Sequence, residues 1–429
     1  MLDLVDEKFV IEGGCRLTGS ITVNGAKNAA LPVMAACILT KGASRIRSIP
    51  KLTDVEIMGR ILECLGLSVK HLEDGSLEMG TVDTTKVTAP YELVNEMRGS
   101  ICVLGPLLAR RNAAMVALPG GCVIGQRPID LHLKGLRAMG AEIDLKDGYV
   151  VAYATRLRGT EIYLGGAHGS TVLGTCNVLM AATLAEGTTV IEAAAREPEV
   201  QNLAEFLVKA GAKISGVGTN RIVIEGVKEL KPVDCQIIPD RIEAGTLMVA
   251  GAVTNGDVTV ENIRPDHLSA VVDKLREVGV NVTLGRDSCR VRGGRMTASV
   301  ITTLAYPGIP TDLQPQLMSL LSIAEGTSVI TEKVFPDRFM HIAELNRMGA
   351  NIQKEGPSAI VHGVPYLSGA KVMASDLRAA ASLVVAGLAA RGTTEVRSIF
   401  HLDRGYEHLE ERLTGIGAKI KREADTKEY

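Results

Sequence analysis

Residues 136–143 read LRAMGAEI, and the phrase L-x-x-x-G-x-x-(I/V) returns as LECLGLSV (62–69), LVKAGAKI (207–214), LREVGVNV (275–282), LNRMGANI (345–352) and LTGIGAKI (413–420). Its glycines, Gly66, Gly140, Gly211, Gly279, Gly349 and Gly417, recur about every 70 residues. Each copy predicts an amphipathic helix that ends on a glycine cap and passes into a strand. A second phrase keeps the same beat, with an apolar helix, a turn and a short strand: CILTKGASRIRSI, LLARRNAAMVALPGG, TLAEGTTVIEAA, GAVTNGDVTVENI, SIAEGTSVITEKV and GLAARGTTEVRSI. One unit is therefore two helices and about four strands, and six units fill the 429 residues. The period exceeds that of the common helical solenoids, and each unit has enough apolar faces for a small sheet with helices packed against it. The expected fold is α/β, with three units sharing a core in each of two domains, helices inside and short sheets outside. The boundary falls near residue 238: residues 27–238 form one domain, and 1–26 with 239–429 the other. The segment KFVIEGGCRLTGSITVNG supplies strands that the last unit lacks.

Apolar residues make up 46% of the chain, ample for buried cores, while the net charge of −2 gives no reason to expect a nucleic-acid partner or an anionic membrane surface. The longest apolar runs, such as AALPVMAACIL, fall short of a membrane span, and the acidic start MLDLVDEKFV is unlike a signal peptide. A cytoplasmic protein is expected. The eight cysteines contain no C-x-x-C pair, and Cys37, Cys64, Cys102 and Cys176 lie in apolar segments where a thiol acts as a small hydrophobe. That spacing points to a reducing compartment and away from structural zinc. No P-loop occurs, and GVGTNR at Gly216 lacks the third glycine of a dinucleotide fingerprint. Neither a metal nor a cofactor is expected.

Between Val116 and Gly140 the chain places Cys122 in a glycine-rich loop, ahead of a helix opening with Arg127, Pro128 and Asp130. Gly120, Gly121 and Gly125 let the loop bend a thiol toward a ligand, and the helix start offers free N–H groups to an anion. A surface turn with an incidental thiol has the same composition.

The repeat supplies a further test. One helix per unit is expected to start at Lys27-Asn28, Arg98-Gly99, Gly174-Thr175, Asp240-Arg241, Thr311-Asp312 and Asp376-Arg378. The other is expected at Thr53-Asp54, Arg127-Pro128, Glu197-Pro198, Arg264-Pro265, Pro336-Arg338 and Asp403-Arg404. Asp54, Asp240, Asp312, Asp376 and Asp403 read as ordinary caps. Lys27, Arg98, Arg127, Arg338, Arg378 and Arg404 do not, because a cation beside a helix N-terminus costs about 0.3–1 kcal/mol unless an anion lies there. Equivalent helix ends converging on one cleft would make a site for a small substrate with phosphate and carboxylate groups.

The segments NGAKNAALP, LPGGCVIGQRPIDLH, AATLAEGTTVIEAAAREPE, PDRIEAGT, PTDLQ, VFPDRFMH, ASDLRAAASLVVAG and HLDRGYE closely resemble the UDP-N-acetylglucosamine 1-carboxyvinyltransferase family of enolpyruvyl transferases, in order and over essentially the whole chain. The resemblance implies a two-domain inside-out α/β barrel of six repeated units, with the active site in the cleft between the domains. It implies transfer of the enolpyruvyl group of phosphoenolpyruvate to the 3-hydroxyl of UDP-N-acetylglucosamine with release of phosphate, the first committed step toward peptidoglycan and hence toward cell-wall biogenesis, cell shape and division. Cys122 then matches the thiol that protonates the methylene carbon of phosphoenolpyruvate or forms a covalent adduct with that substrate, and that fosfomycin alkylates. Lys27, Arg127 and Arg404 match the groups holding phosphoenolpyruvate, with Asn28, Arg338 and Arg378 beside them. Asn28, Arg98, Arg127, Pro128, Ile129, Asp130, Leu131, Asp312 and Val334 match contacts to the UDP-sugar. Asp312 matches the base for the sugar hydroxyl, and Asp376 matches a further cleft residue. The nucleotide segment departs from the family's usual S-V-G-A-T run: here GGAHGSTVLGTCN follows, and Thr171, Val172, Leu173 and Gly174 align loosely.

The chemistry suits those residue types. A thiol with a pKa near 8.5 carries a proton to donate at neutral pH, whereas a carboxylate near 4 is ready to accept one. Arg127 beside Cys122 would lower the thiol pKa and favour an adduct, so acid and nucleophile both stay open for Cys122. The guanidinium and ammonium groups answer the substrate's charge. Two other readings remain: a sister enzyme using shikimate 3-phosphate or another acceptor, against which the PGGCVIGQRP loop argues, and a non-catalytic nucleotide-sugar sensor on the same scaffold.

Overall fold

The computed structural model describes residues 7–120, 128–167 and 169–425. The glycine phrase organises it as a repeat. Gly66, Gly140, Gly211, Gly279, Gly349 and Gly417 all have φ between +78° and +109°, the left-handed conformation that ends each helix and that a β-carbon would oppose. Six four-stranded sheets result, all with one connectivity: a parallel pair at one edge, followed by two antiparallel pairings. A two-stranded ribbon, Gly165–Gly166 with Gly169–Ser170, stands apart from them.

The chain divides into two compact units. The first takes its described residues from 25–120 and 128–238, and the second from 7–24 and 239–425. In the first unit the helices Lys27–Ala36, Leu104–Arg111 and Val172–Ala182 form the interior. In the second unit Arg241–Val253, Gln314–Leu321 and Leu377–Ala389 do the same. Twelve of the thirteen residues of Leu377–Ala389 are buried, so this helix has no wet face, and its alanines and Gly387 let neighbours approach closely. The outer helices, among them Thr53–Cys64, Pro198–Lys209 and Ser269–Glu277, are amphipathic and cover the sheets.

Each unit closes on strands borrowed from elsewhere in the sequence. In the first, Asp234–Gln236 pairs in parallel with Ser44–Arg47. In the second, Thr18–Thr22 pairs in parallel with Asp257–Glu261. Glu7–Glu12 is inserted between Thr393–Arg397 and Lys419–Ala424, antiparallel to both. Phe9 and Ile11 of that strand are wholly buried in the second core.

The helix starts correct several expectations. Lys27, Arg98 and Thr311 open their elements, the last two as 3₁₀ turns, and Asp240 and Asp376 cap theirs, each accepting two backbone N–H bonds. The helix after the Cys122 loop begins at Asp130 rather than Arg127-Pro128, and the one expected at Gly174-Thr175 begins at Val172, with the Thr171 hydroxyl accepting from the Gly174 N–H. Arg338 precedes its helix, which starts at His341. Asp403 and Arg404 stand at the end of the short helix Phe400–Asp403, where the macrodipole favours a cation. Arg404 is therefore not a cation at a helix start, and its place in the fold calls for no anion there. Cys64 is exposed, not a core thiol, while Cys37, Cys102, Cys176, Cys235 and Cys289 are buried, with burial pushing each thiol pKa up.

Candidate active site

In the first unit, Lys27 and Asp54 come from the two helix starts of one repeat and meet as a buried ion pair, with Nζ 2.8 Å from Oδ2. The anion that a cation at this helix start requires is thus supplied by the protein itself. Asn28 follows Lys27 and is partly exposed. Arg98 begins the 3₁₀ turn Arg98–Val103, which packs against Lys27–Ala36. Cys122 and Arg127 lie outside the described residues. Gly120, just before them, is required by a close approach: a β-carbon there would lie 2.0 Å from the Asn95 carbonyl oxygen. The need is for space rather than for an unusual backbone angle.

Pro128, Ile129, Asp130 and Leu131 lead into the helix Asp130–Ala138, whose next residue, His132, is buried. The Asn177 amide fixes this ring. Its Oδ1 accepts from the Gly105 N–H at 2.7 Å, so its Nδ2 is the group that donates to the Ile101 carbonyl and to His132 Nδ1, both at 2.9 Å. With Nδ1 accepting, His132 is neutral and its proton sits on Nε2. Burial first, and then the charge of Arg98, lower its pKa to about 3. Thr171, Val172, Leu173 and Gly174 form the capped first turn of Val172–Ala182, so Thr171 has a structural task of its own.

The second unit assembles its charged residues around one carboxylate. Asp312 Oδ1 accepts from Arg338 Nη1 at 2.8 Å and Oδ2 from Arg378 Nη2 at 2.9 Å. Burial alone would raise the Asp312 pKa, but the guanidiniums of Arg378 and Arg338 hold it well below the usual carboxylate range. Both arginines are almost wholly buried, whereas the Asp312 side chain keeps a quarter of its surface exposed. Arg378 is steadied by the Tyr406 hydroxyl, which accepts from its Nη1 at 3.2 Å and lies 2.8 Å from Thr246 Oγ1; Gln316 Nε2 donates to both hydroxyls. Asp376 caps the helix carrying Arg378 and lies 3.9 Å from Arg338 Nη2. Buried His341 has its pKa lowered to about 4 by burial, with Asp376 opposing and Arg338 adding to the shift.

Val334 takes its place from Glu332, a fully buried carboxylate whose Oε1 accepts the Val334 N–H at 2.8 Å. Arg404 is partly exposed beside Asp403, which Arg422 clasps with two bonds of 2.7 and 3.0 Å. Thr246, Gln316, Tyr406, Asn177 and Glu332 were not singled out from the sequence. Tyr406 does stand inside HLDRGYE, and Glu332 ends its strand one residue past the phase of Glu192 and Glu261.

Among the described residues, His408, Glu410 and Glu411 bring three potential metal-ligating atoms within 4.8 Å of one another. Glu410 is already bonded to Arg422, and His408 and Glu411 are exposed and lie 3.9 Å from each other, so the trio is accounted for by these pairings. No described helix is long and apolar enough to cross a membrane.

The family model for EPSP synthase (3-phosphoshikimate 1-carboxyvinyltransferase) matches residues 11–413. The chain is 53% identical over 417 residues to UDP-N-acetylglucosamine 1-carboxyvinyltransferase from Methylacidiphilum infernorum, covering 97% of this chain and 99% of that protein. It is also 53% identical over 422 residues to UDP-N-acetylglucosamine 1-carboxyvinyltransferase 2 from Carboxydothermus hydrogenoformans, covering 98% and 100%. The crystal structure of the enolpyruvyl transferase NikO from Streptomyces tendae matches with a TM-score of 0.88 at 26% identity, over 98% of this chain and 100% of that one. EPSP synthase from Acinetobacter baumannii, at a TM-score of 0.74 and 20% identity over 97% and 100%, shares the fold. With a family model spanning nearly all of its length and relatives identical at half their positions, the chain belongs to the enolpyruvyl transferase family, on the branch of the UDP-N-acetylglucosamine 1-carboxyvinyltransferases.

Proposed function

We infer that this protein transfers the enolpyruvyl group of phosphoenolpyruvate to the 3-hydroxyl of UDP-N-acetylglucosamine and releases phosphate, committing the sugar to peptidoglycan synthesis. The observation that carries the reading is 53% identity to proteins of that name over 97–98% of the chain. The second unit's two buried guanidiniums around an ionised carboxylate support it, because the reaction needs cations for a multiply charged donor and a base for a neutral hydroxyl.

In this reading Cys122 delivers its proton to the methylene carbon of phosphoenolpyruvate; in the adduct variant its sulfur bonds to the neighbouring carbon as that proton is transferred, and leaves as thiolate when the sugar oxygen replaces it. The sugar oxygen bonds to the neighbouring carbon as its proton passes to Asp312. Loss of a proton from the new methyl group and departure of phosphate then restore the double bond. Lys27, Asn28, Arg127, Arg338, Arg378 and Arg404 hold the donor. Asn28, Arg98, Arg127, Pro128 to Leu131, Thr171 to Gly174, Asp312 and Val334 hold the UDP-sugar.

Asp312 carries an electrostatic condition. Gripped by Arg338 and Arg378 it is ionised but a weak base. Drawing either guanidinium toward the carboxylate or phosphate of phosphoenolpyruvate returns the carboxyl toward its ordinary range, so that donor binding strengthens the base. The seven described cysteines, all free thiols, support a reducing cytoplasmic setting.

The test is phosphate release from phosphoenolpyruvate with UDP-N-acetylglucosamine, run beside shikimate 3-phosphate and a Cys122→Ala variant. Release with the UDP-sugar alone, lost or sharply altered in the variant, is the expected result. Release only with shikimate 3-phosphate would assign the sister activity, and none with either acceptor would leave a nucleotide-sugar sensor.

A further inference from the structure

We propose that Glu332 is a positioning residue for the acceptor half of the reaction, a buried carboxylate that sets the register between Asp312 and the Val334 segment without touching either substrate. The proposal rests on the reading above, in which Asp312 is the base and Val334 a sugar contact.

Glu332 ends the strand Thr327–Glu332 with no exposed surface. Its Oε1 accepts from the Thr303 hydroxyl at 2.5 Å and from the N–H groups of Val334 and Phe335 at 2.8 and 3.0 Å. Its Oε2 accepts from the Thr311 hydroxyl at 2.9 Å. These donors are all neutral; three converge on Oε1 and one on Oε2. The Thr311 oxygen in turn accepts from Arg338 Nη1 at 3.1 Å, so its own hydrogen is committed to Glu332. That same nitrogen donates to Asp312 at 2.8 Å. One arm of Glu332 therefore reaches Asp312 through Thr311 and Arg338, while the other pins the backbone at 334–335.

Two corresponding strands of the repeat end one residue earlier. Glu192 and Glu261 end the corresponding strands Thr188–Glu192 and Asp257–Glu261. Glu192 is only partly buried and pairs with Arg221, and Glu261 is exposed. Glu332 stands one residue further along its strand, on the opposite face from Thr331, which holds the position of Glu192 and Glu261, and there it is enclosed by hydroxyls and amides. Glutamine has the same shape but only one acceptor oxygen. Its amide nitrogen would face a Thr311 oxygen that already accepts from Arg338, and the relay would break.

The experiment compares Glu332→Gln, Thr311→Val, their double variant and Glu192→Gln in the full-length protein, measuring kcat, both KM values and the thermal midpoint. Expected are a loss in kcat of at least about tenfold for Glu332→Gln and for Thr311→Val, and a double variant little worse than either, because both cut one relay. Thr311→Val keeps the Val334 and Phe335 bonds and should leave the KM for UDP-N-acetylglucosamine within about twofold. Glu192→Gln should match the parent. Wild-type kcat in Thr311→Val, or fully additive losses in the double variant, would overturn the proposal, and Thr311→Val decides if Glu332→Gln does not fold. Asp312→Asn separates the two levels: an active Asp312→Asn removes the base reading itself, whereas an inactive one beside active Glu332→Gln and Thr311→Val removes the positioning role alone.

Discussion

Arg378 donates from Nη2 to Oδ2 of Asp312 at 2.9 Å, and its own guanidinium is almost wholly buried. The pair joins the start of one inner helix to the 3₁₀ turn before another. Removing the carboxylate leaves two buried guanidiniums without their counter-charge, so Asp312→Ala should lose about 3–5 kcal/mol of stability. Asp312→Asn keeps the shape and loses the base. Its kcat should fall by about 10²–10⁴ while the KM for phosphoenolpyruvate does not rise, since the cations remain. Steady-state kinetics beside urea unfolding check both.

His132 gives the pH prediction. Its folded-state pKa of about 3 lies below the ordinary 6.5, so the unfolded chain takes up a proton that the folded ring refuses. The stabilising contribution is present in full above about pH 6.5 and is lost as pH falls toward 3, by about 1.4 kcal/mol per pH unit. His132→Gln removes that titration. The stability difference between parent and variant, followed from pH 7 to 4, should change in the variant's favour, and a pH-independent difference would contradict the Asn177-fixed tautomer.

Thiol reactivity should divide the cysteines sharply. Cys37, Cys102, Cys176, Cys235 and Cys289 are buried with raised pKa values, whereas Cys64 is exposed and Cys15 partly so. Brief alkylation at pH 7 followed by peptide mass spectrometry should modify Cys122 ahead of Cys64 and Cys15 and spare the buried five. Fosfomycin should add to Cys122 alone, and Cys122→Ala should take up none.

Gly120→Ala probes the approach to the Cys122 loop. The added methyl would fall 2.0 and 2.1 Å from the Asn95 carbonyl and side-chain oxygens, so the segment must move. We expect a thermal midpoint lowered by an amount equivalent to about 1–3 kcal/mol, with a larger proportional loss in kcat/KM. Unchanged kinetics would mean that the strain is absorbed before it reaches Cys122.

The repeat was legible because its signal is a steric requirement. Six glycines at one phase need a left-handed angle, and no other residue type meets that need as cheaply. Asp240 and Asp376 were legible as caps for the same reason of local chemistry. Arg404 misled, because an Asp-Arg pair reads alike at either end of a helix and only the chain's path decides which. Glu332 was invisible to the sequence: two of its partners, Thr303 and Thr311, lie 29 and 21 residues away, and a glutamate that closes a strand reads as a solvated end. Cys64 sits among apolar neighbours, yet the turn of its helix points it outward.

The strand Glu7–Glu12 has a consequence for the order of synthesis. It leaves the ribosome well ahead of one of its two partners, Lys419–Ala424: Glu12 and its pairing residue Lys419 are 407 residues apart. At about 5–20 residues per second the wait is roughly 20–80 s, during which an apolar ribbon with Phe9 and Ile11 has no core to enter. The first unit can fold as soon as Asp234–Gln236 emerges, since every strand of its sheets is then present. Nascent chains of this protein therefore pass through a long interval with one finished half and one unguarded β-edge, the interval in which a holding chaperone has the most to protect.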